Sequence, residues 1–445
     1  MAEINVKGFS GANNVKETDR FFVRPGIAEP RVILNADVDI VGHINKRLGK
    51  TLYITLSGAH SLWAGNNCMM CAANNSLYRI AQGVATSVGS ITGPYCSLNY
   101  IDVDDEVYIS NPYWQGVFNP STNSLSSWGI SIPPGPMLLL GNGNLPAGTY
   151  HVCMTNVSGT EISGNSPISS ITLTSTGGIQ VLNRPAGALV WVTEANEPIF
   201  YLVGALDSIV NVSTVEPLPS FLCSPPPYLD NLCYAFGRIW GSRESSVYYS
   251  EPFKPGWFKL ATNRFDYDST ITMIAKVPTG LFVGMNNDTK FMAGTDPSQM
   301  VQTDVGQGAV KGTLTYRNNL PDLSSVLGTA EKVIDSVPIW VSGYDIVAGN
   351  TSGEIYNLTK GRIKMSKSNS GASLCRDING SFYFLTNFKR GVTGSGSILT
   401  DADTNQVFED GRIDVHNKYP DDMTHRLGFS DSASCKVYRN GEEID

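Results

Sequence analysis

The side chains able to do acid–base, nucleophilic or metal chemistry are few and scattered along this chain. Five histidines, His43, His60, His151, His416 and His425, occupy none of the H-E-x-x-H or H-x-H settings that would bring two imidazoles to one metal. His60 opens a strand beside Trp63, the place for a structural hydrogen bond rather than a catalytic base. Eight cysteines stand at Cys68, Cys71, Cys96, Cys153, Cys223, Cys233, Cys375 and Cys435. Cys68-Met69-Met70-Cys71 has C-x-x-C spacing. A zinc tetrad needs a second such pair and a redox motif needs a helix-opening βαβ setting, and the sequence offers neither. Alternation in a strand or turn explains the motif, with the thiols acting as small apolar groups in a reducing compartment.

Carboxylates give the same result. Asp102, Asp104, Asp105 and Glu106 fall together just before a strand and read as a solvated turn, not as the acid and second carboxylate of a glycosidase. Asp401-Ala402-Asp403-Thr404-Asn405 begins like a calcium loop, but Gln406 stands where Gly is required and Arg412 where the bidentate Glu belongs. No G-x-S-x-G houses a serine nucleophile and no G-x-x-x-x-G-K-[ST] cradles a phosphate. The expectation is therefore no catalytic residue, no cofactor-binding residue, no metal ligand and no enzymatic activity. What stands out instead is a set of aromatic, proline-rich turns: Asn111-Pro112-Tyr113-Trp114, Ser250-Glu251-Pro252-Phe253 and Lys254-Pro255-Gly256-Trp257-Phe258. Such rings either seal gaps between packed sheets and subunits, the favoured reading, or anchor carbohydrate.

The elements that must position these residues are strands. Of 445 residues only 16% are charged, against 41% hydrophobic and 10% aromatic, with 44 Gly and 24 Pro, a profile of short strands joined by polar turns. The formal net charge of −8 argues against an electrostatic grip on nucleic acid. No window approaches a membrane span, and Met1-Ala2-Glu3-Ile4-Asn5 lacks the basic and apolar regions of a signal peptide.

A loose repeat runs through His60–Gly65 with Ser76–Arg79, Glu106–Ser110, Gly237–Gly241 with Ser246–Ser250, Gly280–Gly284 with Lys290–Met292, Gly343–Gly349 with Glu354–Tyr356, and Gly380–Phe384. Repeats of about 40 to 50 residues made only of strands point to β-propeller blades, about five or six here. Between Pro133-Pro134-Gly135-Pro136 and Pro217-Leu218-Pro219, strands at Gly148–Val157, Ile171–Thr174, Ile179–Leu182 and Leu189–Thr193 read instead as a fibronectin-like β-sandwich inserted in a propeller loop. The expected organisation is an N-terminal arm (1–30), a first propeller part (31–132), the sandwich (133–215), a second propeller part (216–390) and a C-terminal extension (391–445). The arm should order only on a partner. A hairpin turning at Gly42 follows it, and Arg31–Asp39 is the candidate strand for closing the ring.

In order along the chain, several segments resemble the β-propeller nozzle, tail-tube or packaged-DNA stabilisation proteins of short-tailed bacteriophages. They are Asn35-Ala36-Asp37-Val38-Asp39 leading to Ile44-Asn45-Lys46-Arg47, Ala59-His60-Ser61-Leu62-Trp63 with Ser76-Leu77-Tyr78-Arg79, Gly148-Thr149-Tyr150 with Glu161-Ile162-Ser163-Gly164, Val247-Tyr248-Tyr249-Ser250-Glu251-Pro252 with Pro255-Gly256-Trp257-Phe258, and Gly280-Leu281-Phe282-Val283-Gly284. The resemblance covers most of residues 30 to 390, while the stretch around Cys68 departs from it and the last 55 or so residues match nothing in it. It implies a structural virion protein, assembled in the host cytoplasm into a homohexameric ring of the tail below portal and adaptor, contacting tail fibre or needle proteins, with DNA passing through the lumen. Termini and exposed loops would hold that ring, and a negative lumen would let DNA slide. A carbohydrate-binding or glycoside-processing propeller is the alternative, and a monomeric host scaffold a further one.

Overall fold

A computed structural model of the chain describes residues 52–317 except 67 and 336–359 except 344, with shorter stretches before and after them. The described residues are all-β, with one 3-10 turn at Pro297–Gln299 and no α-helix. The chain divides into two compact units, Leu56–Asp268 and Met1–Thr55 with Ser269–Asp445.

Five four-stranded antiparallel meanders, the blade unit of a β-propeller, dominate. Meanders I, II and III lie in the first unit. Meander I runs through Ala59–Ala64, Met69–Ala73, Ser76–Ala81 and Val84–Ser90; meander II through Asn99–Val103, Glu106–Ser110, Gln115–Asn119 and Ser124–Ser126. Meander III comprises Asp230–Ala235, Arg238–Arg243, Ser246–Tyr249 and Arg264–Asp266. In the second unit, meander IV takes Ile271–Val277, Gly280–Met285, Asp288–Ala293 and Val301–Gln307. Meander V takes Thr315–Arg317, Val337–Ser342, Asp345–Gly349 and Ile355–Asn357, and a two-stranded hairpin, Ser370–Ile378 with Ser381–Lys389, follows it.

Turn chemistry explains these connections. Ala73 faces Ser76 across Asn74 (φ 46°) and Asn75 (φ 64°), and Ala81 faces Val84 across Gln82 (φ 49°) and Gly83 (φ 77°). A two-residue hairpin loop needs positive φ to match strand twist, and Asn and Gly adopt it at least cost. The middle strands are nearly continuous apolar runs, as in Gly280–Met285 and Val337–Ser342, every residue of which is buried. Those strands pack on both faces, so alternation disappears from them.

Aromatic seams join neighbouring meanders within each unit. Trp128 lies edge-on to Tyr108 of meander II at 5.3 Å and to Phe258, in the loop between the third and fourth strands of meander III, at 6.2 Å. Phe282 of meander IV meets Trp340 of meander V at 5.5 Å. Meanders I and II share a core of Met70, Leu77, Tyr100, Ile109 and Phe118.

Between meanders II and III the chain builds the sandwich. Leu138–Leu145, Gly177–Val181 and Ser208–Ile209 form a three-stranded sheet; Ser169–Leu173, Gly148–Thr155, Leu189–Thr193 and Phe200–Gly204 form a four-stranded one. Tyr150, Val152, Met154, Ile179, Val190, Val192 and Ile209 fill the space between them. The first strand is hidden in the sequence because Leu138-Leu139-Leu140 runs into Gly141-Asn142-Gly143-Asn144, which reads as a turn. Its register with the neighbouring strand breaks between Gly141 and Leu145, and at Gly143 a Cβ would come within 2.8 Å of Gly177 O.

The structure adds detail to three segments of the expected organisation. Within the expected arm, Gly8–Phe9, Ile27–Ala28 and Phe22–Arg24 form a sheet of their own, and Asn13 Nδ2 donates to Glu29 Oε2 at 3.0 Å with both side chains buried. Strands two or three residues long leave no period in a sequence. The expected hairpin at Gly42 is present, Ala36–Val38 pairing with Ile44–Lys46, while most of Arg31–Asp39, the candidate ring-closing strand, lies outside the described residues. The C-terminal extension contains a five-stranded sheet of Thr400–Asp401, Gln406–Glu409, Arg412–Asp414, Lys436–Arg439 and Glu442–Ile444. His416, His425, Cys435 and the Asp403 end of the calcium-like loop lie outside the described residues.

Candidate functional site

The aromatic turns singled out in the sequence divide into packing residues and exposed ones. The turn at 254–258 is a clamp on the sandwich. Trp257 Nε1 donates to Ile162 O at 2.8 Å, and Lys254 Nζ reaches Glu161 Oε1 at 2.7 Å while lying 5.2 Å from the Trp257 ring centre. Phe258 is fully buried, and Trp128 Nε1 donates to Pro255 O at 2.9 Å. Two further bonds close the junction: Ser220 Oγ donates to Ser163 O at 2.7 Å, and Leu222 N to Asn165 Oδ1 at 2.7 Å. At Gly164 the backbone passes so close that a Cβ would sit 1.7 Å from Cys223 O. Sandwich and meander III are thus held together by backbone contact, ring packing and hydrogen bonds. The half-exposed ion pair adds little, about 0–1 kcal/mol.

The turn at 111–114 is set by its asparagine. Asn111 Oδ1 accepts from Tyr113 N at 2.8 Å and Trp114 N at 2.7 Å, and Asn111 N donates to Trp114 O. Trp114 packs on the core shared by meanders I and II, while Tyr113 remains 49% exposed. Phe253 is 76% exposed, its backbone held at φ 56° by the bond from Phe253 N to Gly237 O.

The residues tested for chemistry are occupied structurally. Asp104 (φ 52°) and Asp105 make the two-residue turn of meander II; Asp102 Oδ2 accepts from Asn66 N at 2.9 Å, and Tyr108 OH donates to Glu106 Oε2 at 3.0 Å. Beside this turn, Arg79, Asp105, Pro120 and Ser121 line an open cleft of about 270 Å³, with Arg79 Nη1 donating to Pro120 O at 3.1 Å. Cys68 packs with Met70 and Ala72 on one face of their strand, whereas Cys71 Sγ donates to His60 O at 3.3 Å. Three residues apart on an extended strand, the two thiols point to opposite faces and cannot share an ion or form a disulfide within the motif. Burial holds both thiols above their ordinary pKa, with Asp102 adding to the effect at Cys68. His151 Nδ1 meets Ser170 Oγ at 2.7 Å on the sandwich surface.

One grouping was not legible in the sequence. Around His60, as expected a hydrogen-bonded residue in the first strand of meander I, the structure gathers Ser61 and Tyr95. The His60 and Tyr95 rings are 4.5 Å apart, and the loop carrying Tyr95 meets Tyr113 at Gly93, where a Cβ would fall 2.9 Å from Tyr113 Cβ. Only the dipeptide Gly93-Pro94 marked that loop as a tight turn.

No family model and no curated protein matches this sequence. Among solved structures the chain is similar to BBS1N in complex with ARL6DN, at 7% identity and TM-score 0.29, covering 75% of this chain and 94% of that one. It is also similar to the N-terminal domain of Nup159, at 11% identity and TM-score 0.27, covering 74% and 73%. A third is apo AztD from Citrobacter koseri, at 9% identity and TM-score 0.30, covering 69% and 74%. At these scores the likeness carries no functional argument.

Proposed function

We propose that the chain is a structural subunit of a short-tailed phage tail, assembling as a ring, a hexamer on the family resemblance, that conducts DNA below the portal and adaptor. The observation that carries the reading is the outward surface of the sandwich. Leu138–Leu145 is an edge strand of its sheet; Met137, Leu139, Leu140 and Leu182 are 60%, 51%, 65% and 55% exposed, and residues 137–145 contain no charge. Monomeric proteins ordinarily protect such an edge with Lys, Pro or a covering loop. Clamped to meander III through Trp257 and Gly164, the sandwich presents that edge rigidly, as a module for subunit contact would. A net charge of −8 suits a conduit for phosphate-bearing polymer, and an edge without charge adds no like-charge repulsion of its own between copies.

Glycoside processing finds less support, since the carboxylates of the 102–106 turn accept hydrogen bonds from their own fold. The test is the mass of the purified protein by light scattering, with negative-stain electron microscopy, alone and mixed with neighbouring tail proteins. Closed rings are expected. A chain that stays monomeric in both conditions overturns the reading.

A further inference from the structure

We propose that two copies of the chain pair through the free edge of the sandwich, strand 138–140 of each running antiparallel to the other about a two-fold axis at Leu139. The pairing rests on the reading of this edge as a subunit contact and deepens it by naming the occupant and the register. A two-fold contact joins subunits in pairs and does not by itself close a ring; a hexamer that used it would be three pairs joined by a second contact.

The backbone pattern fixes which groups are free. Leu182 N donates to Met137 O at 3.0 Å, so 137 and 182 are a hydrogen-bonded pair of the antiparallel ladder. Alternation makes Leu139 with Gln180 and Gly141 with Gly178 the next such pairs. Leu138 and Leu140 therefore aim their N–H and C=O groups away from the neighbouring strand. The other side of the ladder obeys the same rule: Val181, opposite Leu138, turns its N–H outward to Asp207 O at 2.9 Å. Val181 has a third strand beyond it, whereas Leu138 and Leu140 have none among the described residues.

Both ends of this free ladder are closed. Pro136 has no N–H, and its carbonyl accepts from Ser169 Oγ at 2.6 Å. Past Gly141 the register breaks and the chain crosses toward the third strand, where Asn144 N donates to Val210 O at 2.9 Å. Two donors and two acceptors remain, symmetric about Leu139. A second copy running antiparallel matches them with its own: Leu138 of each exchanges two bonds with Leu140 of the other, and two three-stranded sheets become one of six strands. A long foreign strand would find only this short ladder to follow.

Side chains and charge fit the same occupant. Across the axis the two Leu139 side chains, each 51% exposed, become directly opposed on the outer face, with Met137 and Leu182 of each copy beside them. Glu161 is the single Asp, Glu, Lys or Arg between positions 107 and 183, so in a chain of net charge −8 this surface meets its own copy without repulsion from its strands. The strand is also held in place beforehand, Met137 N donating to Asn183 Oδ1 at 2.6 Å and Asn183 Nδ2 to Gly135 O at 2.9 Å.

The experiment is thiol trapping on the full chain. A residue on the axis of a non-hydrogen-bonded antiparallel pair lies within disulfide reach of its own copy. Leu139→Cys under copper–phenanthroline should give a disulfide-linked dimer, while wild type, with its native thiols, and Leu182→Cys, at a 55% exposed position one strand away, should not. Leu140→Pro deletes an N–H that bonds nothing within the chain, and with it two of the four bonds between copies. By sedimentation it should weaken pairing at least about tenfold, with an unchanged thermal midpoint verifying its fold. The proposal is overturned if Leu139→Cys gives no more covalent dimer than Leu182→Cys, or if Leu140→Pro pairs like wild type. Rings that form without the Leu139→Cys cross-link overturn the pairing and keep the ring; trapped pairs that never build a ring support the pairing and overturn the tail reading.

Discussion

At Gly164 a single missing Cβ decides whether the sandwich can seat. The space a side chain would occupy holds Cys223 O, a backbone atom that cannot swing aside. Gly164→Ala should cost about 3 kcal/mol or more, toward the upper end of overpacking penalties, read as a lowered urea midpoint. Gly159, where nothing lies within 4 Å of an added Cβ but φ is 59°, should lose about 1 kcal/mol on the same change, from backbone strain alone. Thiol reactivity is a second residue-scale readout. Burial pushes Cys223 up to about 11 and raises Cys153 further, while Cys68, Cys96 and Cys375 are only partly buried. Iodoacetamide at pH 8 should label the partly buried thiols first and leave Cys153 and Cys223 unmodified until the protein unfolds. A group with a raised folded pKa stabilises fully below its unfolded value, so the Cys223 contribution persists at neutral pH and fades as pH climbs from 9.0 toward about 11. A Cys223→Ala variant should show a flatter loss of stability across that window. Cys68→Ser with Cys71→Ser should leave folding nearly intact, because the thiols face opposite sides of one strand and share no ligand; stoichiometric zinc lost by that variant would refute this.

Among the elements, the turn at 254–258 tests how the sandwich is held. Trp257→Ala removes ring packing, the bond to Ile162 O and the seat of the Lys254 ammonium together. A loss of about 2 kcal/mol is expected for a partly buried indole with one hydrogen bond. Lys254→Ala should lose less than about 1 kcal/mol, since its partner Glu161 is half exposed. Limited proteolysis adds a local measure: cleavage within residues 133–137 or 215–222 should accelerate for Trp257→Ala and stay near wild type for Lys254→Ala. Equal behaviour of the two variants would mean that the ion pair, not the ring, fixes the junction.

For the molecule as a whole, the exposed edge at residues 137–140 makes the assembly reading testable without unfolding anything. Leu139→Lys with Leu140→Lys alters two side chains already 51% and 65% in solvent, so stability should move by less than about 0.5 kcal/mol per site. Ring assembly, by contrast, should be lost, because two buried ammonium groups per interface are far costlier than two exposed ones. Deleting residues 392–445 separates the contribution of the C-terminal sheet from that of the sandwich edge: meanders IV and V should stay folded, and any fall in assembled mass then measures what the extension supplies.

Much of this architecture was written in local chemistry. Asn74-Asn75, Asp104-Asp105 and the glycines of Gln82-Gly83 and Phe236-Gly237 mark hairpins because Asn, Asp and Gly adopt positive φ at least cost, and the apolar runs at Gly280–Met285 and Val337–Ser342 mark strands buried on both faces. Low charge and abundant turn residues selected an all-β chain before any strand was placed. The outer strands were not legible. Val84–Ser90 and Val301–Gln307 are largely exposed, and a strand with one face and one edge in water carries no period that distinguishes it from a loop. The arm's short parallel pair was hidden for a related reason: its partners are nineteen positions apart, and only backbone pairing unites them. The same distinction holds at the site. Sequence offered Tyr113, Phe253 and Trp257 as equals, but whether a ring is buried, clamps a neighbour or faces solvent depends on residues far along the chain. Trp257 needs Ile162 to complete its bond, and His60 meets the Tyr95 ring only because a distant loop folds back on it. Local sterics set strands and turns; only long-range packing decided which side chains remained free to bind anything.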